Sequence, residues 1–515
     1  MDEATLLVRS GQLVAAHDQP AIPNGAVAIA GETIKAVGTY EELSTHYPGT
    51  KEIGGDHFLV IPGLINGHSH GRGLTDFQRG ARDNTLETWR FDTYHKFVPV
   101  STYDDVAYSA ARLLKSGVTT TMHNQSLAPD PTDFEKKFED CLRAYSDAGM
   151  RVLLCPAITN DNPFVYGDNA AIVAALSDES RKILTASAAP GALTAANYVQ
   201  AVRELHEKFN GVMSRIGFGP VAPQWCTKDL LVGIRREADR LGVPIHTHAL
   251  QTIFQKNYAL RFLGKSLIAH MNDIGLLGRN VVIGHCVFPT ESDIELLART
   301  DTGVTHHPSC NLRVRNGIAP AFHMLRAGVR VGLGLDGKSI NDDDDFIQEM
   351  KVCFLLHRIP CLDVDSPHLS ARHVFKMATE IGSTLVGYGD ELGRLEPGRK
   401  ADLVLLDYKD MCRPFVDPSH DPIETLLYRG IGRHVHTVLV NGRIVVQEGQ
   451  LLTLDEEAIG NRLAEAASRP RTELEMARIK AMDEVRDQVV HYYQGWTEDI
   501  AWAPYFHVNS RIDGK

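Results

Sequence analysis

The stretch PGLINGHSHGRG, Pro62 to Gly73, closes a short apolar run with two histidines two residues apart. Strand side chains alternate between faces, so His68 and His70 point the same way and can share one cation. Alone, the pair would read as two histidines exposed in a glycine-rich loop. Its neighbours along the chain change that reading. Strand-like runs recur as FLVIPGLIN, GVTTTMHN, RVLLCPAI, RIGFGPVAP, VPIHTHA, VVIGHCV, TGVTHHP and VRVGLGLD, each followed by a helix-length amphipathic stretch. Eight such units between about residues 58 and 390 predict a (β/α)8 TIM barrel, with an open parallel sheet as the alternative that periodicity alone allows.

Several of these runs end in histidine or aspartate: His246 and His248, His285, His306 and His307, and Asp336. In a β/α barrel the strand C-termini converge on one rim, where active sites are built. Histidines serving only as core packing have no reason to gather there. The pattern therefore points to a metal site.

Outside the barrel, ATLLVRS and AVAIAGETIKAV near the start, and ADLVLLD and VHTVLVNGRIVVQEGQ near residues 401 to 450, read as short strands, with Asn441-Gly442 as a hairpin turn. The two sets are expected to form a small β-sandwich domain from both chain ends. The expected division is 1–57 for its first part, 58–390 for the barrel, 391–452 for its second part, and 453–515 for a C-terminal helical tail. Two amphipathic helices broken at Pro470 are expected in that tail. Its end carries Trp496, Trp502, Tyr505 and Phe506, which suits docking on the same chain or on a second subunit.

A net charge of -12, from 53 basic and 65 acidic residues, supplies no surface for a phosphate backbone, so nucleic acid is a poor partner and a small molecule a better one. No run approaches the ~20 apolar residues of a membrane helix, and the acidic start lacks the form of a secretory signal. Eight cysteines without a CxxC pair suit reduced thiols. A cytoplasmic location is expected.

The order PGLINGHSH, RGARDNTLETW, SGVTTT, GPVAPQWCT, HTHALQT, GHCVFPTESDIELLA, HHPSCNLRVRNGIAP, GLGLDGKSIN and GRLEPGRKADLVLLD resembles the amidohydrolase superfamily, in the branch of cytosine and S-adenosylhomocysteine deaminases and s-triazine hydrolases. The resemblance runs through nearly all of residues 1 to 450. It implies one divalent ion held by His68, His70, His248 and Asp336, with zinc favoured and iron the alternative. Such an ion turns water into a hydroxide nucleophile near neutral pH. Asp336 would take the water's proton, His285 would polarise the group under attack, and His306 would match a further active-site histidine. His307 is left between packing and function, and His246 is expected behind the ligands. The family habit also implies a homo-oligomer.

One position departs from the deaminase pattern. That branch carries HxxE after the fifth strand, with the glutamate moving protons, and here the run is His248-Ala249-Leu250-Gln251. An amide has no titratable proton to relay. The expected function is metal-dependent hydrolysis of a non-peptide carbon-nitrogen bond in an amide, urea, amidine or amino-substituted N-heterocycle, releasing an amine or ammonia. Hydrolytic dehalogenation of a triazine-like ring is the first alternative, because halide departs without a proton. A non-catalytic assembly protein of the same fold is the second. Trp89, Asn124, Gln224, Trp225, His307 and Lys338 are candidates for the substrate pocket, each with packing, a turn contact or, for Lys338, a surface salt bridge as the plainer role.

Overall fold

The computed structural model describes residues 4–95, 98–126, 134–187, 194–358 and 364–498. The barrel strands are Leu64–Ser69, Val118–Ser126, Arg151–Ile158, the pair Ser214–Ile216 and Gly219–Pro220, Ile245–Ala249, Val281–His285, Gly303–His306 and Val331–Leu333. All eight runs contain strand, with the fourth interrupted at Gly217 and Phe218. Strands one to four form one parallel arc and strands five to eight another.

The two arcs curl together through sparse contacts. At one seam, Phe218 bridges Ile245, and the backbone N–H groups of His246 and His248 donate to Phe218 and Val221 carbonyls at 2.8 and 2.9 Å. At the other, the Asp336 N–H donates to the His68 carbonyl at 3.1 Å and the Leu335 N–H to Asn66 Oδ1 at 3.0 Å. Two glycines permit that approach. A Cβ on Gly67 would lie 2.8 Å from the Leu333 carbonyl oxygen, and one on Gly334 would lie 2.8 Å from the His68 backbone nitrogen, closer than a side chain tolerates.

Helices cover the arcs because each has one apolar face. Thr102–Lys115 buries Val106, Ala107, Ala110, Leu113 and Leu114, and the Ser101 hydroxyl caps its start by accepting from the Asp104 N–H at 3.3 Å. Each fully buried valine or leucine contributes roughly 1.5–3 kcal/mol relative to exposure. Lys228–Leu241 begins on Thr227 and stops at Gly242, whose left-handed backbone ends the helix.

The strands from the two chain ends join one nine-stranded sheet. Its long strand Lys51–Pro62 runs parallel to Leu6–Leu13 and antiparallel to Leu403–Asp407. Leu6, Val8, Val27, Val60, Leu403 and Leu439 share one core, so the strands from both chain ends close over the same apolar interior. Asn441 and Gly442, with φ of 52° and 76°, form the expected hairpin turn. Buried Arg151 ties the third barrel strand to this sheet through Asp402, at 2.9 and 3.0 Å.

Beyond the sheet come helices Glu456–Ser468 and Glu473–Tyr492, separated at Pro470. The second packs on Leu86–His95, the helix following the first barrel strand. Its end places Val485, Val489, Tyr493 and Trp496 among Trp89, Phe91, Tyr166 and Trp225. The described part of the aromatic tail thus docks on its own chain; Trp502, Tyr505 and Phe506 lie outside the described residues. Among the described residues, no helix is long and apolar enough to cross a membrane.

Candidate metal centre

Alternation along the first and fifth strands sends His68 and His70, and His246 and His248, into the barrel. There the ligand atoms of His68, His70, His248 and Asp336 all lie within 4.8 Å of one another. Asp336 Oδ1 is 3.1 Å from His68 Nε2 and 2.9 Å from His70 Nε2, and the Nε2 atoms of His68 and His248 are 3.1 Å apart.

The outer nitrogens decide what these inner ones carry. His70 Nδ1 lies 3.0 Å from the Asn124 carbonyl oxygen and His248 Nδ1 2.7 Å from that of Val221. A carbonyl only accepts, so each Nδ1 is the donor and each neutral ring presents a bare Nε2 lone pair to the centre. Bare nitrogen facing a carboxylate oxygen at 2.9 Å repels unless a proton or a cation lies between them. Three imidazoles and one carboxylate at this spacing fit a divalent ion that keeps one position open.

Burial favours the neutral form of His68, His246, His248 and His307. It lowers the His68 pKa to about 4 against the pull of Asp336, and holds His246, His248 and His307 well below the ordinary histidine value. Burial would raise the Asp336 carboxyl, but His68 and His70 beside Oδ1 and His285 beside Oδ2 outweigh it and hold the carboxyl well below the usual range. Asp336 and His285 also have left-handed backbones, φ 55° and 71°, each costing on the order of 1–3 kcal/mol in a residue with a side chain.

His285 sits against Asp336 Oδ2 at 3.5 Å, with its Nδ1 2.8 Å from Asn311 Oδ1. His246 stacks on His68 at 4.8 Å. Gln251 is buried two residues past the fifth strand, its N–H donating to Gln255 Oε1 at 2.6 Å.

The paired histidines after the seventh strand take different places from those expected. His306 points out of the barrel, with Nε2 3.0 Å from His357 Nε2 and Cys353 nearby. His307 points in, 3.2 Å from His285 and 3.0 Å from the Thr305 hydroxyl. The expected placement of His306 in the site is therefore corrected: of this pair, His307 is the ring that faces the cluster. The physical reason is alternation: Thr305 and His307 share the inner face, while Val304 and His306 face the covering helices.

Two pocket assignments also change. Lys338 is buried and ion-paired with Asp76 and Asp83 at 2.8 and 2.9 Å, with Nζ 4.7 Å from the Trp89 ring centroid. It clamps the loop after the first strand to the eighth, rather than waiting for a substrate anion or lying at the surface. The Asn124 side chain donates to the Cys155 carbonyl at 3.2 Å, so its contribution to the site is the backbone carbonyl on His70. Gln224 is buried with neither its amide oxygen nor its nitrogen partnered, as is the Trp225 indole nitrogen, which suits a ligand contact.

Sequence reading missed Cys310, whose thiol donates to Asp336 Oδ2 at 2.8 Å. Its place three residues past the His307 turn was the available signal. It also missed Glu87 in RDNTLETW, a buried carboxyl that accepts from the Thr252 and Tyr166 hydroxyls at 2.5 and 2.7 Å.

A parallel β/α barrel with neutral histidines and one aspartate gathered at its strand ends defines the class of metal-assisted hydrolases. Residues 59–445 match the Amidohydrolase family, and residues 25–49 match the Imidazolonepropionase-like composite domain of bacteria. The chain belongs to the amidohydrolase family. It is 30% identical to 5-methylthioadenosine/S-adenosylhomocysteine deaminase 1 of Syntrophus aciditrophicus (strain SB) over 481 residues, 92% of this chain and 99% of the relative. It is 29% identical to 5'-deoxyadenosine deaminase of Methanopyrus kandleri over 444 residues, 84% of this chain and 92% of the relative. In fold it is similar to an adenosine deaminase from Xanthomonas campestris with bound zinc, at TM-score 0.75 and 22% identity, covering 95% of this chain and 99% of that one. It is also similar to an atrazine chlorohydrolase from Arthrobacter aurescens TC1 complexed with zinc, at TM-score 0.75 and 23% identity, covering 90% of this chain and all of that one.

Proposed function

We propose that this chain uses one divalent ion, zinc, at His68, His70, His248 and Asp336 to remove an amino group from a small nitrogen heterocycle, releasing ammonia or an amine. The observation that carries this reading is the convergence of four donor atoms within 4.8 Å, two of them made bare by backbone carbonyls behind the rings. A divalent ion supplies Lewis acidity there and lowers the pKa of water. Asp336, a carboxylate beside the position the ion leaves open, is the base that takes water's proton. His285 stands beside it to polarise the group under attack, with His307 behind. Gln224 and Trp225 offer buried donors and an acceptor to the substrate.

The names of the relatives favour purine nucleosides as the first substrates to try, and the triazine fold-neighbours keep hydrolytic dehalogenation as the second reading. Gln251 favours that second reading, since halide needs no proton. The division at about residues 57, 390 and 452, the cytoplasmic location and the homo-oligomer belong to the same proposal. Free thiols at all seven described cysteines support the location.

The test is a panel of adenosine-type nucleosides, aminopyrimidines and chloro- or amino-triazines, assayed for ammonia, amine and halide with metal analysis. Release of ammonia or amine by wild type, lost in Asp336→Asn, is expected. Halide alone would establish the second reading. A zinc-loaded protein inert on every compound would sink both.

A further inference from the structure

We propose that Glu87 carries the proton to the departing nitrogen that Gln251 cannot supply. The proposal rests on the carbon-nitrogen hydrolase reading and adds a catalytic residue to it. Glu87 lies in the first turn of Leu86–His95, fully buried, outside the set of groups around Asp336. Its Oε1 accepts two hydroxyl hydrogens, from Thr252 and Tyr166. Thr252 directly follows Gln251 and lies four residues beyond His248. Glu87 Oε2 is buried and has no hydrogen-bond partner from another of the described residues.

A buried carboxyl oxygen without a partner is costly in a core that needs it only for packing. Two donors on Oε1 leave Oε2 as the oxygen that holds a proton, with no acceptor among the described residues to receive it. Burial raises the Glu87 pKa more than the two hydroxyls and Arg90 lower it. The groups facing it are Tyr166, Tyr493 and Arg90; the Arg90 guanidinium also donates to the Phe164 carbonyl at 2.6 Å and lies over the Trp225 ring at 4.6 Å. The C-terminal extension fixes the arrangement, because the Tyr493 hydroxyl accepts from the Tyr166 N–H at 3.0 Å.

In the step itself, water adds its oxygen to the electrophilic carbon and gives a proton to Asp336. The carbon-nitrogen bond breaks with its electron pair on nitrogen, which takes the Glu87 proton and leaves as ammonia or amine. The proton on Asp336 then restores Glu87. If the carboxyl were only a structural clasp, its removal would affect all substrates alike.

The experiment compares wild type, Glu87→Gln and Glu87→Gln/Gln251→Glu, all metal-loaded. Glu87→Gln is expected to lower kcat about 100-fold or more where an amine leaves, to change it less than about threefold where a stable anion leaves, and to keep its metal. Adding Gln251→Glu is expected to recover at least about tenfold of the amine release. Infrared difference spectra of wild type at neutral pH should contain a protonated carboxyl stretch that vanishes in Glu87→Gln. Equal losses for both leaving groups, no loss for either, or no such band would overturn the proposal. Should Glu87→Gln not fold, Thr252→Val must show the same leaving-group split. A wild type that releases nothing from any substrate defeats the hydrolase reading, while the infrared band still decides the state of Glu87.

Discussion

His306 and His307 are neighbours in sequence, identical in side chain and equally buried, yet they belong to two different regions. His307 joins an interior cluster of imidazoles around a carboxylate. His306 joins His357 and Cys353 between the seventh strand and the end of helix Phe346–Leu356, with no carboxylate among them. The outer pair is explained by one neutral ring donating to the other. The inner cluster cannot be explained so, because carbonyls behind His70 and His248 have already taken their ring hydrogens. What separates a working histidine from a packing one here is which backbone groups stand behind the ring and whether an anion stands before it.

The comparison breaks most sharply at the anion. Asp336→Asn is expected to cost about 1,000-fold or more in turnover and to weaken zinc binding, read by amine release and by metal content after dialysis; retention of both would erase the distinction between the regions. Next comes the inner ring without a direct hold on the ion: His307→Gln should lower metal affinity or activity by about 10- to 100-fold. Competition with a chelating dye measures it, and an unaltered affinity would move His307 into the packing class.

Acid provides a graded test. At pH values above 6.5 His68 is neutral in both folded and unfolded chains; below that the unfolded chain takes up a proton that the buried ring refuses until about pH 4. The stability of metal-stripped protein should therefore fall as pH drops from 6.5 to about 4, and His68→Asn should flatten that slope in thermal melts. A slope unchanged by the substitution would show that other groups set it. The smallest effect belongs to the outer pair. His306→Gln should cost about 1 kcal/mol of stability and leave metal content and turnover unaltered, whereas loss of bound metal would merge the two regions.

Much of this was legible in the sequence. The apolar runs marked every barrel strand, because a strand buried on both faces cannot be written any other way. His68, His70, His248 and Asp336 stood out because they fall at strand ends. The face of His306 and His307 was less legible: the pair sits where the strand gives way to a helix, and a resemblance in motif outweighed the alternation from Val304. Lys338 looked available because its partners Asp76 and Asp83 lie more than 250 residues away in sequence. Glu87 was hidden for the same reason, since both hydroxyls it binds come from other loops.

The nine-stranded sheet imposes an order of events on synthesis. Lys51–Pro62 leaves the ribosome more than 300 residues before Leu403–Asp407, the neighbour that completes its edge. Throughout that interval an apolar strand has one side unmatched, an invitation to aggregate that a chaperone or the growing barrel must shield. A chain stopped before residue 403 would lack its last strands and would also leave its first ones open.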